Sequence, residues 1–164
     1  MLKRKIVFIA EILPEIMIAI VFAWLLTRFI TPSVVSGNSM YPSLKDKDYL
    51  LINRIAYRVT KPSYGDIIVF KSDIQGHKKL IKRIVALEGD RLQIENGKLY
   101  INDVILNESY LASKYTPGKV NTTIPNGFIF VLGDNRNHSL DSRFSEIGFI
   151  DIHDILGKVL IKIF

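Results

Sequence analysis

The chain has no cysteine. That removes disulfides, a thiol nucleophile and cysteine-ligated zinc from consideration. Histidine is nearly as scarce: His77, His138 and His153 are the only three in 164 residues, with no zinc-finger spacing, so no metal and no other cofactor is expected. The chain also lacks a basic stripe. Its 22 Lys and Arg against 16 Asp and Glu give a formal charge of +6, but the cations are scattered and no aromatic motif of the single-strand-binding kind accompanies them. Nucleic acid is therefore not expected as a partner, and the excess charge fits anionic lipid headgroups better. No internal repeat and no low-complexity segment is present, and after Phe29 no apolar pattern of helical period has convincing length.

One long hydrophobic run is present, in MLKRKIVFIAEILPEIMIAIVFAWLLTRFI. Ile16 to Leu26 is unbroken. A bilayer core asks for about 20 apolar residues, which is approached when Ile12, Leu13, Phe29 and Ile30 are added and Glu15 and Arg28 sit at the two interfaces, Arg28 snorkelling outward. A cleaved signal peptide would need a small-x-small site, which Thr27-Arg28-Phe29-Ile30-Thr31-Pro32 does not supply. A buried helix of a soluble protein is the other alternative. The reading adopted is a retained single-pass anchor in the cell membrane, with the basic head Lys3, Arg4 and Lys5 in the cytoplasm and everything after Thr31 outside it. Glu11, Pro14 and Glu15 weaken the start of the span, and the first ten or so residues are expected along the membrane surface. The domain division is residues 1–31 for cytoplasmic tip and anchor and residues 32–164 for an extracytoplasmic domain.

That second part has a β texture, with short β-branched runs separated by turn signals. Strands are expected over 48–59 (one or two), 67–72, 80–87 and 127–135, with a last one over 157–164. A hairpin tip is expected at Gly76, and a second hairpin over 91–103 turns at Asn96-Gly97. Segment 108–123 is expected as a polar surface loop, and a turn is expected near 151–156. The fold class is mainly β, antiparallel sheets in a barrel-like domain after one transmembrane helix.

Four stretches are denser in Gly, Asp, Ser and Arg than strands require: SGNSMYPSL (36–44), YGDIIVF (64–70), IKRIVALEGD (81–90) and GDNRNHSLDSR (133–143). A serine hydroxyl needs a base before it attacks. His138, beside Asp134 or Asp141, is one candidate for a triad. Lys82 is another. With period two it shares a face with Leu80, Ile84 and Ala86, and a lysine pointing into apolar surroundings loses its proton readily, while Arg83 points the other way. Plain alternatives stand beside these: strand lysines commonly lie at edges, and a serine in a loop is commonly a turn residue.

In combination and in this order, the four stretches resemble the boxes of the type I signal peptidases, Ser-Lys membrane peptidases that cleave secretory signal peptides. Gly37-Asn38-Ser39-Met40-Tyr41-Pro42-Ser43-Leu44 resembles the nucleophile box, Gly65 to Phe70 the Gly-Asp box, Lys82 to Asp90 the lysine box and Gly133 to Arg143 the last box, which is complete. Ile155-Leu156-Gly157-Lys158 resembles the closing pattern. The compact length resembles the single-anchor bacterial form. Asn38, Ser43, Ala86 and Glu88 depart from the commoner residues, and Gly37 stands where some members carry a serine that donates to the oxyanion.

The resemblance implies a membrane-anchored serine endopeptidase that cuts pre-proteins after a small-x-small motif. It implies Ser39 as nucleophile, Lys82 as general base and Ser139 as the residue that orients Lys82. It places Val34, Val35, Gly37, Met40 and Ile81 against the substrate, with Met40 and Tyr41 adding apolar surface toward the membrane. Arg83, Asp134, Asp141 and Arg143 become structural ion pairs. The implied partners are secretory pre-proteins and the lipid bilayer; neither the oligomeric state nor the particular pre-proteins follow. A self-cleaving repressor-type Ser-Lys peptidase would need a DNA-binding domain where the anchor lies, and an inactive accessory homologue would not need both Ser39 and Lys82.

Overall fold

A computed structural model describes residues 2–74 and 76–163 of the chain, with side chains described for all of these except residues 2–11, 25, 26 and 77. The side chains of Lys3, Arg4, Lys5, Glu11 and His77, on which part of the sequence reading falls, lie outside that set. Helix α1 runs Leu2–Phe29. Its segment Ile12–Phe29 is long and apolar enough to cross a membrane, and none of it is buried against the rest of the chain.

Eleven strands follow among the described residues: β1 Ile30–Val34, β2 Tyr49–Asn53, β3 Ile67–Ile74, β4 His77–Ala86, β5 Arg91–Glu95, β6 Lys98–Ile101, β7 Val104–Ile105, β8 Val120–Thr123, β9 Phe128–Leu132, β10 Ile150–Asp151 and β11 Ile155–Lys162. They form a seven-stranded sheet in the order β1-β2-β11-β3-β4-β9-β10 and a four-stranded sheet in the order β7-β6-β5-β8. Every pairing is antiparallel. The expected mainly antiparallel β architecture behind one apolar N-terminal helix is thus observed.

Alternation dictates the core. Along β5 the inward residues Leu92 and Ile94 are fully buried and the outward Arg91 and Glu95 are exposed. The β5–β6 hairpin turns at Asn96 and Gly97, both at positive φ (52° and 76°), the backbone that a two-residue turn matched to strand twist demands. A first core cluster, with Leu92, Ile94, Leu99, Ile124 and Phe130, joins the two sheets. A second holds Ile68, Phe70, Ile84, Ile129 and Val131. A third, Val35, Met40, Leu44 and Leu50, lies under the segment between β1 and β2. Each fully buried aliphatic side chain contributes about 1.5–3 kcal/mol.

Four local expectations differ from the structure. Residues 48–59 do not continue as strand after Asn53: the Asn53 side chain accepts the Ile55 N–H at 3.0 Å, and a short helix α2, Ala56–Val59, follows. Residues 120–123, expected within a loop, form β8, because β5 offers them a ladder from Arg91↔Thr123 to Ile94↔Val120; so short and polar a strand is made by its partner. β1 straddles the expected boundary between residues 31 and 32, where no strand was expected, and Pro32 is tolerated in it because β1 is a sheet edge. Finally, Ala86 does not share a face with Lys82. The β4–β9 register shifts between Ile84 and Ala86, so Ile84 packs in the second cluster and Ala86 in the first.

Candidate active site

Ser39 sits in the turn that leaves β1. That turn is held from below and behind. Met40 and Leu44 are 1% and 3% exposed, and the Leu44 N–H donates to the Met40 carbonyl at 2.9 Å. Gly37 takes φ +87°, a backbone that glycine adopts without strain, and its N–H donates to Asp46 Oδ1 at 2.8 Å. The last box grips the same turn from the other side. The Asn135 N–H donates to the Ser39 carbonyl at 3.0 Å, and Asn135 Nδ2 donates to the Asn38 carbonyl at 3.1 Å. Among the described residues, the Ser39 N–H donates to no protein acceptor.

Lys82 lies mid-β4 and is 2% exposed. Its cross-strand neighbour is Ile68, which is fully buried. Its Nζ lies 2.8 Å from Ser39 Oγ and donates to the Ile81 carbonyl at 3.1 Å. Among the described residues no carboxylate forms an ion pair with it. Burial pushes the ammonium down to about 8, against the opposing pull of the Asp141 and Asp134 carboxylates. A lysine in this setting releases its proton near neutral pH to whatever base conditions allow, and the nearest partner of its nitrogen is a serine hydroxyl.

Ser139 is buried, and its Oγ has no hydrogen-bond partner among the described residues. It packs beside Gly133, where an added Cβ would stand 2.1 Å from Ser139 Oγ and 2.5 Å from the Ser39 carbonyl oxygen. The structure thus brings Ser39 and Lys82 into contact and Ser139 close behind Ser39, but it forms no Ser139–Lys82 hydrogen bond.

Arg83, on the opposite side of β4, ties the boxes together. Its Nε and Nη2 donate to Asp134 at 2.8 and 2.7 Å, Nη1 to the Gly65 carbonyl at 2.7 Å, and Nη2 also to Ser43 Oγ at 3.2 Å. Its guanidinium lies 4.0 Å from the centre of the Tyr110 ring. One side chain therefore touches the nucleophile box, the Gly-Asp box and the last box. Asp141, fully buried, holds Arg143 Nε at 2.8 Å and accepts the Gly133 N–H at 3.0 Å. Both carboxylates that could have oriented His138 are committed to arginines. His138 is exposed, and its Nδ1 faces only Asn135 Oδ1, at 3.4 Å.

A cleft of about 520 Å³ opens over Ser39 and Lys82. Val34, Val35, Gly37, Met40 and Ile81 all line it. Met40 nevertheless does not present apolar surface to a membrane: at 1% exposure it belongs to the core cluster with Val35 and Leu50, whereas Tyr41 is 45% exposed. The sequence reading missed Ser33, Ile74, Lys79 and Leu140 as lining residues. Only the pairing of β3 with β4 reveals the middle two. It also missed Asn135, whose place in the last box was its only signal. Glu88, one of the departures from the family pattern, accepts the Gly127 N–H at 2.9 Å and so clasps the turn before β9. Asp66 of the Gly-Asp box pairs with Lys158 of the closing box at 2.6 Å.

Comparison with known proteins agrees with this arrangement. Residues 9–164 match the family model described as signal peptidase, peptidase S26. A probable signal peptidase I-1 of Synechocystis sp. is 35% identical over 96% of this chain and 83% of its own length. Signal peptidase I U of Bacillus subtilis is 35% identical over 94% of this chain and 86% of its own. A crystal structure of a signal peptidase I from Enterococcus faecalis superposes with a TM-score of 0.54 at 35% identity, covering 63% of this chain and 99% of that one. The chain belongs to the signal peptidase family, peptidase S26, and is a serine hydrolase of that family.

Proposed function

We propose that Ser39 and Lys82 are the catalytic pair with which this chain cleaves signal peptides from secretory pre-proteins. The observation that carries the reading is the 2.8 Å approach of Lys82 Nζ to Ser39 Oγ by a lysine only 2% exposed. Neutral Lys82 takes the Ser39 proton as Oγ attacks the scissile carbonyl, then returns a proton to the leaving amine. An acyl-enzyme remains. Lys82 next takes a proton from water, which attacks the ester and frees Ser39. The Ser39 N–H, without a protein acceptor, is the donor available to the oxyanion. Gly37 offers no side chain for that task, and its own N–H is engaged by Asp46.

Ser139 orients Lys82 in this scheme. Its support is the buried, unpartnered hydroxyl: leaving it unpaired costs about 1–3 kcal/mol, which a hydrogen bond to the amine nitrogen would relieve. Arg83, Asp134, Asp141 and Arg143 hold the pieces in place without chemistry of their own. The substrate runs extended along the open edge of β1, with Val34, Val35 and Ile81 bounding shallow pockets for small side chains, and is cut after a small-x-small motif. Residues 1–31 form the cytoplasmic tip and single-pass anchor, and residues 32–164 the extracytoplasmic peptidase domain. Support for the anchor is the uncovered apolar stretch Ile12–Phe29.

The test is cleavage of a pre-protein in detergent by wild type, Ser39→Ala and Lys82→Ala. Both variants are expected to lose turnover by a factor of roughly 10⁴ or more while remaining folded. Near-normal turnover by Lys82→Ala would remove lysine from the mechanism.

A further inference from the structure

A second cavity lies away from Ser39, where α1 meets the sheet. It encloses about 610 Å³, and Arg28, Arg54 and Arg58 line it over a floor that includes Ile55, Ile152 and Leu156. Among the described residues no carboxylate lines it. Arg83, Arg91, Arg136 and Arg143 each hold a carboxylate. Among the described residues Arg28, Arg54 and Arg58 hold none, and Arg28 only stacks on Trp24, 4.7 Å from the ring centre. The two acids whose partners touch the lining are already engaged. Asp66 accepts from the Tyr57 hydroxyl and pairs with Lys158, and Asp151 faces His153.

Three guanidinium groups around one apolar-floored hollow repel one another unless an anion joins them, and guanidinium matches phosphate oxygens two at a time. The place of the hollow narrows the choice of anion. Arg28 and Phe29 end the apolar stretch, and the Arg54 N–H donates to the Phe29 carbonyl at 2.9 Å, fixing the end of β2 against the end of the helix. On the reading that α1 spans a bilayer, the cavity stands at the depth of the headgroup phosphates.

We infer that this cavity seats the headgroup phosphate of an anionic glycerophospholipid, with Arg28, Arg54 and Arg58 on the phosphate and the apolar floor under the glycerol and upper acyl carbons. A zwitterionic headgroup brings its own cation and leaves the three arginines uncompensated, so the site selects net negative lipid.

The full chain in detergent is titrated with phosphatidylglycerol, with phosphatidylcholine of the same acyl chains, and separately with inorganic phosphate, and bound molecules are counted by native mass spectrometry. Wild type is expected to retain one phosphatidylglycerol in preference to phosphatidylcholine. Arg54→Gln and Arg58→Gln should each weaken that binding about fivefold, and the triple change with Arg28→Gln about a hundredfold, from roughly 1 kcal/mol per basic residue at an anionic headgroup. Lys98, Lys114 and Lys119→Gln together, on the four-stranded sheet and its loops, remove the same charge and should change nothing. Equal loss in that control, equal retention of phosphatidylcholine, or displacement of the lipid by equimolar inorganic phosphate would overturn the assignment. Pre-protein cleavage by each variant reports that it is folded. Alkaline extraction of membranes tests the spanning helix separately: release of the chain with the arginine-dependent selectivity intact would unseat the anchor and leave the cavity assignment standing.

Discussion

Lys82→Met isolates the cost of the charge in the cleft. Methionine keeps an unbranched chain of similar length and removes the ammonium alone. In the wild type, burial moves that group from 10.5 down to about 8, a shift worth about 3 kcal/mol at 1.36 kcal/mol per unit. The folded value lies below the unfolded one, so between roughly pH 8 and pH 10.5 the unfolded chain binds more protons and wild-type stability rises with pH. Below about pH 8 Lys82 is charged in both states and the full desolvation cost is present. Above about pH 10.5 it is neutral in both and the cost is gone. Lys82→Met carries no such dependence.

At pH 7 the variant should therefore be the more stable protein, by up to about 3 kcal/mol, less about 1 kcal/mol for the lost contact with Ser39 Oγ. At about 2–4 °C per kcal/mol for a chain of this size, Tm should rise by roughly 4–8 °C, and the gap should close as pH is raised toward 10. Thermal unfolding in detergent at pH 7, 8, 9 and 10, with pre-protein cleavage measured on the same samples, reads both quantities. The variant should be inactive throughout. A Lys82→Met protein that is less stable than wild type at pH 7, with a gap that ignores pH, would refute the claim that burial keeps this amine close to neutrality.

Three other outcomes follow from the geometry. Because the neutral amine is the working form, kcat/KM should climb about tenfold per unit below about pH 8 and level off above it; a flat profile from pH 6 to 8 would count against a lysine base. His138→Ala should leave turnover within about twofold, since the imidazole lines the cleft as an exposed side chain whose Nδ1 meets Asn135 Oδ1 rather than a carboxylate. A loss of a hundredfold or more would bring back a histidine base. Gly133→Ala forces a Cβ to within 2.5 Å of the Ser39 carbonyl oxygen, which is backbone and cannot swing away. It should cost about 1–3 kcal/mol of stability and, by displacing Ser39, roughly a hundredfold in kcat, both measurable on one preparation. Wild-type kcat in that variant would mean that the close approach does not position Ser39.

Much of this was legible because the informative residues obey local rules. Asn96-Gly97 announces its turn, Leu92 and Ile94 alternate with Arg91 and Glu95, and Ile12–Phe29 is apolar without interruption by more than two charges. Lys82 was legible for the same reason, as a cation at a position whose neighbours in period two are apolar. What failed was what partners decide. β8 is a strand only because β5 is beside it. Met40 looks like a surface residue of a loop and is instead the buried peg that fixes the loop. The shift after Ile84 sends Ala86 to a different cluster from Ile84, and no feature of the local pattern marks it. The arginines of the second cavity belong to α1, to the residue after β2 and to α2, and nothing in their spacing announces that they meet.

The same distinction explains how an exposed reaction can use a buried base. A lysine gives up its proton as low as about pH 8 only where water is kept from it, whereas the serine it serves must face an incoming chain. The two demands meet because the residues sit on different kinds of backbone. Lys82 is in a central strand with neighbours on both sides, and its dryness is a property of the sheet. Ser39 is in a turn off the edge strand, half-buried, with order supplied from outside: Met40 and Leu44 below, and the two bonds from Asn135 above. Asn135 is itself placed by its neighbours in the last box, through Asp134 on Arg83 and Asp141 on Arg143 and the Gly133 N–H. The buried ion pairs are thus tied to the chemistry through position. Losing Asp141 would leave Arg143 uncompensated, at about 3–5 kcal/mol, and would free the very segment that fixes the carbonyl of Ser39.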